Sequence, residues 1–312
     1  MTFPASSELG LMVTRWFVFV STVALLGLHG LACFVFPPAR EETLRVHRRL
    51  KLFALGGCLL LLLAAGADVF LRCSCVLGMA TACSLFCPMM WNTHMGHLWM
   101  LRTTLCTVLL LTVMGRDRAW LRWLRLLMAV VLGACLSYSS HAADQGNVTL
   151  HLAMDGMHAI SAGLWLGGLF SVAFILWLEP VAMSPDYLAE IVPKFSTLAG
   201  ICIATLMIGG AYNTWVSLPS IPSFWTTPYG RILSLKLVIF GVLACFGALN
   251  RYHVVPQIQK RQNGAGVLFK KWIRREVWLG LIILGITALL SETMPPHRMP
   301  HNNQEMMEQP SE

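Results

Sequence analysis

HLAMDGMHAISAGLWLGGL, residues 151–169, is the stretch on which the fold turns. It opens a long apolar run, yet His151, Met154, Asp155, Met157 and His158 crowd into its first eight residues. At about 3.6 residues per turn, His151, Asp155 and His158 fall at i, i+4 and i+7 on one helix face, which Met154 shares. Ala162 and Trp165 continue that stripe inward without polar atoms until the indole. A run of this length reads as a membrane helix, and ionisable groups at its mouth are costly in lipid and mark function.

The rest of the chain agrees with a membrane setting. Of 312 residues, 56% are hydrophobic and only 12% charged, where a soluble domain carries about 25% charged residues. Mean hydropathy is +0.64. The expected fold is all-α: a polytopic transmembrane helical bundle of eight spans, near 11–36, 50–71, 98–114, 120–140, 155–178, 195–217, 232–250 and 277–293. The apolar stretch 76–90 is brief and reads as a re-entrant or interfacial helix, with a ninth span as the alternative. The first twenty residues lack a basic leader and a small-residue cleavage site, so the first span is expected to stay in the membrane. Two segments result: a transmembrane domain, 1–293, with an outer sulfur-rich loop at 72–97, and a His/Met-rich tail, 294–312, expected to be disordered.

A net charge of +8 raises nucleic acid as a partner, and the placement of the charges argues against it. Lys and Arg gather between spans, as in Arg40, Arg45, Arg48, Arg49 and Lys51, or Lys270, Lys271, Arg274 and Arg275. The positive-inside rule puts those loops in the cytoplasm. Both termini then face outward, which in a bacterium with two membranes is the periplasm.

With this orientation, taken from Arg and Lys alone, seven of ten histidines face outward. His94, Met95 and His97 open the third span. His141 ends the fourth. His151, Met154, Asp155, Met157 and His158 open the fifth, and His297 and His301 lie in the tail. Imidazole with thioether suits copper, either Cu(I) or Cu(II), whereas hard ions want oxygen ligands. The candidate metal ligands are therefore His94, Met95, His97, His141, His151, Met154, Asp155, Met157 and His158, with Asp155 and His158 at the centre. Trp165 to Gly168 reads as packing that admits a neighbouring helix beneath them. The outer cysteines Cys73, Cys75, Cys83 and Cys87 are open to two readings, disulfides or soft ligands. The six cysteines inside spans, Cys58 and Cys106 among them, read as small apolar residues. Asp68 is either a carboxylate on an ion path or a partner for Arg72, and Glu276 reads as a salt-bridge partner of Arg274 or Arg275.

Several marks together resemble the copper resistance protein D family of bacterial inner-membrane proteins. They are Ser140-His141-Ala142, Asp155-x-x-His158 with Trp165-x-Gly167-Gly168, Phe195-Ser196, Thr227-x-Tyr229-Gly230 with Leu235-Lys236, Asn250-Arg251 and Glu276. The resemblance implies movement of copper from the periplasm towards the cytoplasm, and a small periplasmic copper-binding partner of the copper resistance C type. No enzymatic activity is expected, with a redox role as the alternative. The alternative from the residues alone is a membrane redox protein with bis-His haem b, pairing His94 or His97 with His141 or His158.

Overall fold

The computed structural model describes residues 6–37, 44–77, 88–115, 118–138 and 150–296. All regular elements among them are helical. This is what lipid demands, because a helix satisfies every backbone polar group within its own segment. The helices are α1 (Ser6–Phe34), α2 (Leu44–Leu77), α3 (His94–Met114), α4 (Ala119–Tyr138), α5 (Leu150–Ala162), α6 (Gly168–Leu178), α7 (Pro185–Ser217), α8 (Pro228–Leu249), α9 (Val255–Gln259) and α10 (Ala265–Ser291). A π-helical turn, Gly163–Gly167, joins α5 to α6, and a second, Asn250–Val254, joins α8 to α9.

α1 is the hub of the bundle. It packs against α2, α4, the first π-turn, α6 and α10, and buries Leu25, Leu26, Leu28 and Leu31 almost completely. Its contact with the π-turn is backbone on backbone. A Cβ at Gly167 would lie 1.8 Å from the Val23 carbonyl oxygen, and one at Gly27 would lie 2.0 Å from the Gly167 carbonyl carbon. Gly168 receives the Phe195 ring, 2.9 Å from where its Cβ would be. The expected role of the Trp165–Gly168 segment as a seat for a neighbouring helix is met, and that neighbour is α1. Apolar side chains that remain exposed, such as Leu63, Leu111, Ile201, Met207 and Val238, are the surface offered to lipid.

Among the described residues, seven helices are long and apolar enough to cross a membrane. The eighth expected span corresponds to α10, which carries Lys270, Lys271, Arg274, Arg275 and Glu276 and is uncharged only over 277–291. The ends of the spans also differ from expectation. Arg45, Arg48, Arg49 and Lys51 occupy the first turns of α2 rather than a loop, and Lys270 to Arg275 lie on α10. Hydropathy marks only the part of a helix that lies in lipid, while helix-forming charged residues extend it into the interface. α3 begins at His94 because Thr93 caps it, its hydroxyl accepting the Gly96 amide at 3.0 Å.

One end of the bundle is held by the residues that carried the resemblance. Arg251 donates to the Ser196 carbonyl at 2.7 Å and to its hydroxyl at 3.2 Å. Glu276 is buried and accepts a short hydrogen bond from the Asn250 amide. Its partner is thus Asn250 and not Arg274 or Arg275, which are exposed. Adjacent residues on a helix do not face each other. Arg49 instead pairs with Glu179 at 2.8 Å.

Candidate functional site

α5 and α7 lie side by side along the segment on which the sequence reading centred. α7 presents Gly209 and Gly210 to α5, and without their side chains His158 finds room. A methyl at Gly210 would stand 3.3 Å from His158 Cε1 and 3.5 Å from Nδ1; one at Gly209 would stand 3.2 Å from His158 Cβ and 3.1 Å from the Met154 carbonyl oxygen. The Met157 terminal methyl closes the same seat, 3.5 Å from the Gly209 position.

The imidazole is oriented by a backbone carbonyl. His158 Nδ1 lies 3.2 Å from the Leu206 oxygen. A carbonyl only accepts, so Nδ1 carries the proton and the Nε2 lone pair is left for a metal. One turn earlier on α5, Asp155 accepts a hydrogen bond from the Asn213 amide at 3.0 Å. One turn later, the Ser161 and Thr205 hydroxyls meet at 2.7 Å. The α5–α7 interface thus holds a polar ladder, Asp155, His158 and Ser161 against Asn213, the Leu206 carbonyl and Thr205. It spans about 9 Å at 1.5 Å per residue. Buried Cys202 lies three residues further along α7.

Cationic and phenolic groups from α8 complete the surroundings. Lys236 is within charge range of both Asp155 and His158. Tyr229 hydrogen-bonds Ser217 and also senses Asp155. The start of α8 is fixed locally: Thr227 caps it, accepting the Gly230 amide at 3.0 Å, with Pro228 in the first turn. Gly230 has no alternative, since a Cβ there would fall 1.9 Å from the Ser223 carbonyl oxygen. Asn213, Thr205 and Ser161 escaped sequence reading as site residues. The i, i+3 spacing of His158 and Ser161 was a visible signal, but pairing it with α7 needs the packing.

The other candidate ligands are distributed differently. His151 is buried, its ring 6.2 Å from that of Tyr212. Met154 and Met157 are half-buried beside Asp155 and His158. His94 and His97 are exposed at the start of α3, which packs on α2 and α4 rather than on α5. His97 Nε2 lies 2.8 Å from the Trp91 carbonyl oxygen. Met95 packs with Val69, Cys73 and Met90. His141, Cys83, Cys87 and the tail from residue 297 lie outside the described residues. Among the described residues, no three His, Cys, Asp or Glu side chains gather as a metal cluster. Among the described residues, Cys73 and Cys75 form no disulfide.

A second polar cluster sits at the same end of the bundle. Glu292 pairs with Arg15 at 2.8 Å and with Arg72 at 2.5 Å, and Arg72 also holds Asp68 at 3.1 Å. Asp68 is therefore the partner of Arg72, and Thr14 donates to it at 3.3 Å. These contacts join α1, α2 and the end of α10.

Comparison with known proteins points one way. Two family descriptions match: "Copper resistance protein D-like, N-terminal domain" over residues 6–152 and "Copper resistance protein D" over residues 189–290. Inner membrane protein YebZ of Escherichia coli is 25% identical over 68% of this chain and 74% of its own length. Copper resistance protein D of Pseudomonas syringae is 26% identical over 66% of this chain and 71% of its own. Copper transport protein CutJ of Bacillus subtilis is 26% identical over 66% of this chain, which spans only 38% of that longer protein. No solved structure matches. With both family descriptions matched and the marks at Asp155, His158, Gly167, Asn250 and Glu276 in place, the chain belongs to the copper resistance protein D family.

Proposed function

We propose that this multi-pass inner-membrane protein accepts copper at its periplasmic face and passes it towards the cytoplasm. The observation that carries this reading is the seated His158, with Nδ1 turned to the Leu206 carbonyl, Nε2 left as a donor, and Met157, Met154 and Asp155 beside it. Imidazole and thioether together favour copper, and a second-shell carbonyl that fixes the tautomer is how proteins orient a metal-binding histidine. The ladder continues inward to Ser161 and Thr205, so a path leads away from the mouth along α5 and α7. Copper is cargo here, and the reading contains no catalytic step.

The topology that goes with this function has eight spans and both ends outside. It is supported by the Arg15–Glu292 pair, which sets the start of α1 and the end of α10 at one end of the bundle. The donor is a periplasmic copper-binding protein of the copper resistance C type, and the sites that first meet it are His94, His97, His141 and His151. Haem b is not favoured: the matched family descriptions name copper, and His94 and His97 stand on a helix that does not pack on α5. Uptake of Cu(I) into proteoliposomes tests the proposal. The wild-type protein is expected to load the vesicles and His158→Ala to abolish most of that uptake. Equal uptake by both would remove His158 from the path.

A further inference from the structure

α2, the short helical segment at 88–92 and the start of α3 form a sulfur-lined corner that the copper reading above does not use. Cys73 on α2 is fully buried, and its thiol donates to the Met89 thioether at 3.3 Å. Met90 is buried against Cys73 and Val69, and Met95 packs on the same group. One thiol and three thioethers therefore meet in one place. The segment 88–92, which carries Met89 and Met90, is held in three ways. The Thr93 hydroxyl donates to the Met89 carbonyl at 2.8 Å. His97 Nε2 donates to the Trp91 carbonyl at 2.8 Å. Gly96 lets α3 approach so closely that a Cβ there would fall 2.3 Å from the Met90 carbonyl oxygen. His97 thus acts on this corner through the backbone, and the Met95-Gly96-His97 sequence has a use that spacing alone did not disclose.

We propose that this corner is a second copper site, specific for Cu(I), with the Cys73 sulfur and the Met89 sulfur as ligands and Met90 and Met95 as the neighbouring donors. It rests on the reading that the chain handles copper. Thiolate and thioether are the soft donors that Cu(I) prefers over harder ions. Two sulfurs bound at about 2.3 Å to one ion in a trigonal plane stand about 4 Å apart. The present 3.3 Å opens to that by rotation of the unbranched Met89 side chain, the most adaptable side chain available for such a role. Binding replaces the Cys73 S–H bond by an S–Cu bond, and the proton leaves to water. Copper stays Cu(I) throughout, so no oxidant or reductant is consumed.

The experiment uses the full-length, detergent-purified, reduced chain, loaded with Cu(I) without oxygen against bicinchoninate as competitor. Bound copper is counted, and copper K-edge absorption reads the ligand shell. Cys73→Ser and the volume-conserving Met89→Leu are each expected to release one copper per chain and to remove its sulfur shell. Cys75→Ser, which changes an exposed thiol, is expected to retain both. His158→Ala is expected to leave the sulfur shell intact while impairing uptake into vesicles, which separates this site from the one above. If Cys73→Ser and Met89→Leu keep the wild-type copper count and sulfur shell while monodisperse, the corner is not a copper site. A wild-type chain with no sulfur-bound Cu(I) overturns it equally. If instead the sulfur copper is lost as expected but His158→Ala transports normally, the failure belongs to the α5–α7 path alone.

Discussion

Gly210 offers a graded perturbation of the central seat. An added methyl stands 3.3 Å from His158 Cε1 and 3.5 Å from Nδ1, a contact tight enough to push the ring by a few tenths of an ångström. The 3.2 Å bond to Leu206 is long to begin with and weakens further. A net hydrogen bond is worth about 0.5–1.5 kcal/mol, so Gly210→Ala is expected to weaken Cu(I) binding at this site roughly 2- to 10-fold. Gly210→Val places a methyl about 1.5 Å beyond the Cβ and drives the ring out of its seat. Loss of an orienting partner typically costs about 10- to 100-fold in metal affinity, which is the expectation for Val. Gly241→Ala on α8, where a Cβ meets nothing within 4 Å, is the control. The assay is competition for Cu(I) against a chromophoric chelator, with thermal unfolding in parallel. An order of wild type, Ala, Val in falling affinity supports the account. A folded Gly210→Val protein that binds copper as tightly as the wild type refutes the role given to His158.

Other perturbations follow from the same geometry. Gly167→Ala sets a methyl 1.8 Å from the Val23 carbonyl oxygen; backbone must move, so a large drop in unfolding temperature and in purified yield is expected, whereas Gly56→Ala, which meets nothing, should melt like the wild type. Glu292→Gln leaves Arg15 and Arg72 without their shared carboxylate; breaking such a pair where both partners are largely buried costs about 3–5 kcal/mol, read as lower thermal stability with Cu(I) binding at His158 retained. Asn250→Leu strips Glu276 of the amide bonded to it and is expected to destabilise by about 1–3 kcal/mol, with Glu276→Gln in the same chain recovering part of the loss. Asn213→Leu removes the donor to Asp155 and is expected to reduce copper uptake more than overall stability.

How far the chain could be read without coordinates depends on the distance over which each signal acts. The helical class follows from local apolar runs, and the Thr93, Ser184 and Thr227 caps lie within three residues of the amides they accept. The stripe of His151, Asp155 and His158 is likewise a property of one helix. The partners of Asp155, His158 and Ser161 come from residues 44 to 58 positions away, Asn213, Leu206 and Thr205, and no spacing rule connects them. Glu276 illustrates the opposite error. Nearby Arg274 and Arg275 drew attention by proximity in sequence, yet they stand on other sides of α10 and Asn250 takes the carboxylate. The same holds for Glu292, whose role as a clasp across α1 and α2 shows only when the end of α10 is placed beside Arg15 and Arg72. His94 and His97 were grouped with His158 because all three face outward. Shared depth in a membrane does not imply shared position in its plane, and α3 packs on other helices than α5 does. Cys73 stands out by composition, but its meeting with Met89 at 3.3 Å depends on how the helical segment 88–92 is tied down.

The most direct test of the account is a copper anomalous-scattering map of the Cu(I)-loaded protein. The account predicts a peak between α5 and α7 within about 2 Å of His158 Nε2, the usual metal–imidazole distance. Copper bound in the crystal with no peak in the α5–α7 interface would contradict it.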